Sequence, residues 1–474
     1  GLAARALGSA RLCRLQVCAA GSTAHAFSCL QAEPESSTAA ALRIWVTGQG
    51  PPVALLLPPL RPDSKGDWRQ WSDVANSLLH LQASSSSSSS SSSAARSTPA
   101  ASVWVAEWLD WDAGLAGGAA GTIDRTQYPL AIADVAARAL AGGSLRLVAG
   151  AGGAGLVVPQ ALRMLQLREG PAGVSGVCLA AVAPTGWAAP LPRLTGEDYP
   201  ARLARRQRMG ASLQRALARI GLGSALAKWL VPGSSPRADP ALVLSWWLGL
   251  LDPVASTRDA ARELLMSSRA VDPLTARSHF KAARDSVTAQ DAAADDADDD
   301  DFAVGAISSR SKQPPAETVP EASGAESAAD TTKTLGSPFL GVVTPLLLMV
   351  PDAVPQQDRE AAMSLGQMVE AVQARLRRAA GEAPPGAELR SVLEAELFRA
   401  LLELDSHGGQ GSDMWHTSAA EQAPCSREGD LLADAVLPLR VEAMRGSSSS
   451  FSDDPDGIAQ QLWEFASRMR SREQ

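Results

Sequence analysis

Apolar residues in this chain gather into short runs that are hydrophobic at nearly every position, not at alternate ones. The runs are Arg43 to Thr47, Val53 to Leu57, Val103 to Trp108, Leu145 to Ala149 and Val177 to Ala183, then Leu346 to Val350 and Ala435 to Val441. A strand with one wet face alternates, whereas a strand covered on both faces does not. The runs therefore predict strands of a mostly parallel sheet. Between them apolar residues return at helical spacing: Trp71, Val74, Ala75, Leu78 and Leu79; Leu130, Val135 and Leu140; Leu156, Leu162 and Leu165. Strands alternating with helices predict a doubly wound α/β fold. Residues 187–285 read as almost wholly helical and stand between the two strand groups, the layout of a cap inserted into a core of residues 40–186 and 337–474.

Low-complexity segments interrupt this pattern. The serine run Ser84 to Ser93 is expected to be a solvated loop. Residues 286–336 are rich in Asp, Ala, Ser, Thr and Pro, with an acidic run from Asp295 to Asp301. Such a segment buries too little apolar surface to offset its ordering entropy, so it is expected to be a disordered linker. Residues 406–430 and Ser447 to Ser450 read as further loose stretches.

Composition narrows the function classes. A net charge of -8 argues against a general nucleic-acid binder, which needs a basic face. No apolar run reaches the roughly 18 residues of a membrane-spanning helix. The basic amphipathic segment from Arg202 to Trp229 is suited to peripheral docking on an anionic membrane surface or an acidic partner, but a cap helix with a solvated face is the favoured reading. The five cysteines form no C-x-x-C pair, so neither a disulfide framework nor a metal site is expected. Residues 1–35 carry Arg5, Arg11 and Arg14 among Ala, Leu, Ser and Cys, with no acidic residue before Glu33. That is transit-peptide composition, with Val17 to Ala20 similar to a stromal processing site, and it predicts a chloroplast destination.

The most informative stretch is Leu145 to Val158, an apolar strand running into a glycine-dense turn. Gly150, Gly152 and Gly155 spell G-x-G-x-x-G, the dinucleotide fingerprint. The fingerprint normally follows the first strand and is answered by an acidic residue about 20 positions on. Here it follows a late strand, and the next strand ends in Ala183-Pro184-Thr185. No cofactor is expected.

The same turn resembles the strand-to-helix elbow of the α/β-hydrolase superfamily, and other motifs follow in that family's order. Leu55-Leu56-Leu57-Pro58-Pro59-Leu60, with Trp71 beyond it, resembles the strand and loop that supply half of an oxyanion hole. Val105 to Trp111 is similar to the next strand, and Val182 to Pro192 resembles the segment that opens the cap in a chloroplast-type branch of the family. Thr344 to Asp352 looks like the strand that delivers the triad acid, and Ser447 to Phe465 like the histidine loop and final helix. The resemblance implies a nucleophile on the elbow, an acid after the seventh strand and a histidine after the eighth.

Carried over residue by residue, the acid falls on Asp352, the nucleophile on Gly152 or its neighbour Gly153, and the histidine nearest Phe451. Pro58, Pro59 and Gly153 take the oxyanion-loop positions, and Gly150 completes the degenerate elbow. Two of the three chemical roles have no competent side chain. Ser144 precedes the strand, Asp405-Ser406-His407 reads as a polar loop, and Cys178 reads as strand packing. His80 is expected to cap a helix, and His416 lies in a Gly/Ser-rich loop. The expectation is a pseudoenzyme that binds a small apolar ligand or a protein partner. The alternatives are a rewired hydrolase using Asp352 as a general base, and an interaction scaffold.

Overall fold

The computed structural model describes residues 11–13, 27–31, 42–60, 68–87, 101–108, 127–169, 176–183, 253–271, 339–352, 356–383, 388–405, 427–446 and 451–473, with isolated positions at 174, 208–219 and 275–279. The strands are β1 (Arg11–Cys13), β2 (Ser28–Gln31), β3 (Leu42–Gly48), β4 (Pro52–Leu60), β5 (Ser102–Trp108), β6 (Leu147–Gly152), β7 (Cys178–Val182), β8 (Arg269–Val271), β9 (Phe339–Val343), β10 (Leu346–Pro351) and β11 (Leu439–Met444). The helices are α1 (Ser72–Ser87), α2 (Gln127–Ala141), α3 (Ala154–Glu169), α4 (Pro253–Ser268), α5 (Gln356–Glu382), α6 (Leu389–Asp405), α7 (Arg427–Val436) and α8 (Pro455–Glu473).

Nine strands form one sheet in the order β1-β2-β3-β5-β4-β6-β7-β10-β11. The six from β5 to β11 run parallel, and β1, β2 and β3 extend the sheet antiparallel. This is the mostly parallel α/β architecture expected from the uninterrupted apolar runs. Alternate residues of each strand feed two separate cores. Leu55 and Leu57, Val148, Leu179, and Leu346 and Leu348 join a core with α2 through α7. Leu56, Leu147 and Ala149, Cys178 and Ala180, and Leu347 and Met349 join a second core with α1 and α8. Both faces of the central strands β4, β6, β7 and β10 are dry, so they carry no charged residue, whereas β3, β5 and β11 carry Arg43, Glu107, Arg440 and Glu442.

Three local expectations are corrected. The run Ala435 to Val441 is not one strand: α7 ends at Val436 and β11 begins at Leu439. Pro438 stands at the break, where its missing N–H and fixed φ suit neither a helix interior nor mid-ladder pairing, and its carbonyl accepts from Leu346 N–H at 2.9 Å. The serine run does not open as a loop, because α1 continues to Ser87 and Ser84 Oγ bonds the His80 carbonyl one turn back at 2.9 Å. His80 therefore lies inside α1 and does not cap it. The stretch expected to be loose up to residue 430 turns helical at Arg427.

The segment expected as a cap contributes α4 to the main core, through Ala260, Ala261, Leu264, Leu265 and Met266. The chain leaves α4 through β8 and returns through β9, antiparallel partners with Val271 opposite Phe339. Arg269 anchors this junction. Its guanidinium is buried, pairs with Glu394 of α6 at 2.6 Å and lies 5.0 Å from the centre of the Phe339 ring. Burial pulls the Arg269 pKa below its ordinary value, against the hydrogen bond and charge of Glu394. Arg375 of α5 bridges Glu396 and Glu403 of α6 at 2.6 and 2.5 Å. Near the amino terminus, Phe27 and Trp45 both pack on Trp68, with ring centres 4.7 and 4.5 Å away.

Candidate functional site

The sheet reverses its direction of growth at β4. The connection from β4 to β5 passes through α1 on one face, and that from β5 to β6 through α2 on the other. A crevice therefore opens between the carboxyl ends of β4 and β6, the place where open α/β sheets collect ligands. The glycine-dense turn sits there. Leu60, the last residue of β4, pairs with Gly152, the last of β6, across an irregular register.

The turn has a sharp shape for identifiable reasons. Gly152 adopts φ 53°, in the left-handed region that a residue bearing Cβ enters only with strain. A Cβ at Gly150 would stand 2.6 Å from the Ala154 carbonyl oxygen, so strand and helix approach too closely for any side chain. Helix α3 starts at once, with Leu156 and Val157 N–H groups donating to the Gly153 carbonyl at 3.1 and 3.3 Å. Gly152 and Gly153 are buried.

Asp352 follows β10, two strands from β6, which sets the two strand ends about 10 Å apart. Its side chain is committed locally. Oδ1 accepts from Gly446 N–H at 2.8 Å, and its own N–H donates to the Met444 carbonyl at 3.0 Å. The carboxylate thus ties the end of β10 to the turn after β11, while the residue remains exposed. Phe451 precedes α8 and is 1% exposed. Its ring lies 4.2 Å from that of Trp71, whose indole N–H donates to the Leu57 carbonyl at 2.8 Å. The position aligned with a histidine is a packing residue that joins α8 to the end of β4.

Pro58 and Pro59 are buried within β4. Neither carries an N–H, so neither can donate to an oxyanion, and the Leu60 N–H is the first along the strand with that capacity. Ser144 precedes β6, at the amino ends of the strands and away from the elbow. Cys178 is a buried thiol within β7, as its strand reading implied. His279 meets Phe398 of α6 edge-on at 5.6 Å. His25, His407, His416 and the cap-opening segment from Pro184 to Pro192 lie outside the described residues. Among the described residues no group of His, Cys, Asp and Glu has the arrangement of a metal site, and no helix is long and apolar enough to cross a membrane. A cavity of about 10 Å³ beside Val53, Leu78, Leu147 and Trp463 lies at the amino ends of β4 and β6, opposite the elbow, and has room for no more than a water.

No family model matches the chain, and no curated protein or solved structure matches it. The functional reading therefore rests on the geometry of the carboxyl edge. Sequence reasoning located that edge but missed two of its features. The Asp352–Gly446 bond depends on a turn about 90 residues away in the chain, and the Trp71–Phe451 contact joins residues even further apart. Local patterning carries no signal for either.

Proposed function

We propose that this chain is a pseudoenzyme of the α/β-hydrolase fold, one that binds a small apolar ligand or a protein partner at the carboxyl edge of its sheet and lacks serine hydrolase chemistry. Counting from β2 along the chain within the main sheet, the elbow follows the fifth strand, Asp352 the seventh and the Phe451 loop the eighth. That order supports the family resemblance. The observation that carries the non-catalytic reading is the pair of substitutions at the two reactive positions. A hydrolase serine needs a base to take its proton, and a base needs a hydroxyl to act on. Here the elbow has no side chain, and the base position holds a buried phenylalanine packed on Trp71.

The test is turnover of a series of p-nitrophenyl esters by wild type and Asp352→Ala, with fluorophosphonate labelling alongside. No turnover and no labelling are expected from either protein. Turnover that follows the protein through purification and disappears in Asp352→Ala would overturn the reading in favour of a carboxylate-based hydrolase. The exposure of Asp352 is the observation that favours this second reading, because water reaches its carboxylate. The hydrogen bond from Gly446 opposes it by occupying Oδ1.

A plastid destination belongs to the same proposal. Processing near Val17 to Ala20 would remove β1, the short partner of β2, and would leave Phe27 and β2 in the mature chain with their packing on Trp68 and β3.

A further inference from the structure

Strand β11 ends the sheet, and among the described residues no strand pairs with its outer side. The direction of its backbone groups follows from its pairing with β10. The Pro438 and Met444 carbonyls accept from Leu346 and Asp352, so even-numbered residues face inward and Leu439, Val441 and Ala443 face out. Two outward carbonyls are already engaged by side chains. Gln373 Nε2 donates to Leu439 O at 3.3 Å, and Gln461 Nε2 donates to Ala443 O at 3.0 Å. Between these two caps Val441 presents its N–H and its carbonyl outward.

We propose that β11 pairs antiparallel with β11 of a second copy of this chain, about a two-fold axis at Val441. In an antiparallel ladder two directly opposite residues can exchange both of their N–H···O bonds. Val441 opposite Val441 uses the two groups that the glutamine caps leave open. The same register is matched in charge. Arg440 and Glu442 lie on one face of the strand as an ion pair. Turning the copy over about Val441 sets each Arg440 opposite the second copy's Glu442, giving two opposite-charge pairs across the axis. In this register Leu439 stands opposite the second copy's Ala443, so the backbone exchange is confined to Val441 unless Gln373 and Gln461 release the carbonyls they cap. The charges select the register, because displacing it takes Arg440 away from the second copy's Glu442, and they favour a copy of the same strand over an unrelated one.

The experiment is sedimentation velocity of the full chain over a range of concentrations. Wild type is expected to be a reversible dimer. Arg440→Glu places four acids around the axis and Glu442→Arg places four arginines, so each should raise the dissociation constant on the order of tenfold or more. An equimolar mixture of the two variants restores both opposite-charge pairs and should form a one-to-one heterodimer. The double exchange R440E/E442R keeps the ion pair within the strand and should dimerise like wild type, so it remains a test if a single variant folds poorly. Far-UV circular dichroism and Tm monitor folding. A monomeric wild type overturns the proposal, including the case in which the edge receives a strand from some other protein. Dimerisation unchanged in both single variants overturns it, as does a mixture of the two that fails to associate.

Discussion

An added methyl group at Gly150 would lie 2.6 Å from the Ala154 carbonyl, while at Gly152 the backbone itself sits at φ 53°. The two glycines therefore resist substitution for different reasons. Gly152→Ala should lower stability by roughly 1–2 kcal/mol, the cost of a left-handed residue. Gly150→Ala should cost about 3 kcal/mol or more, because the obstruction is backbone and cannot swing aside. Urea unfolding of the two variants gives both values, and equal costs would contradict this account. Phe451→Ala should lose about 3–5 kcal/mol, the penalty for emptying a buried aromatic site. A loss near zero in the same measurement would mean that Phe451 is a loop residue and not part of the core. At this scale the sequence was partly legible. The glycines announced a tight turn, but the burial of Phe451 on Trp71 depends on where α8 meets the end of β4.

Among the elements, α4 and α6 are held at the β8–β9 junction by Arg269 and Glu394. Glu394→Gln leaves a buried guanidinium poorly compensated and should cost about 3 kcal/mol or more. The double replacement Arg269→Met with Glu394→Leu should be less damaging than Glu394→Gln alone, because no buried charge is left behind. Thermal unfolding of the three proteins tests that ordering. At the other end of the sheet, deletion of residues 1–20 removes only β1, the three-residue partner of β2, and should lower Tm slightly. Deletion of residues 1–34 removes Phe27 from Trp68 and strips β2 from β3, so Tm should fall and the exposed edge should promote association. Scattering and Tm of the two truncations distinguish these outcomes. Most strands were readable from their unbroken apolar runs. The error at Ala435 to Val441 arose because hydrophobicity continues through Pro438 from a buried helix end into a strand, and burial alone does not distinguish the two.

For the whole molecule, the sheet is joined across the long excursion between β8 and β9. The strand β7, before the excursion, pairs with β10, after it, from Leu179↔Leu346 to Val182↔Met349. Thr344 N–H and its carbonyl also bond Ser268 at 2.8 and 3.0 Å. Cleavage at a protease site placed near residue 315 should therefore leave two fragments that co-elute and unfold together. Fragments that separate without denaturant would show that the two halves are independent. The doubly wound architecture was legible from strand and helix alternation, whereas the order of strands in the sheet follows from pairings between distant segments.

The β7–β10 pairing also sets a clock for synthesis. Cys178 to Val182 is buried at every position, and its far side stays unpaired until Leu346 to Pro351 has been made. At about 5–20 residues per second, the roughly 160 intervening residues occupy the ribosome for on the order of ten to thirty seconds. Throughout that interval the nascent chain carries an apolar strand with one open edge. Its yield in the cell should depend on translation speed and on chaperones that shield β7.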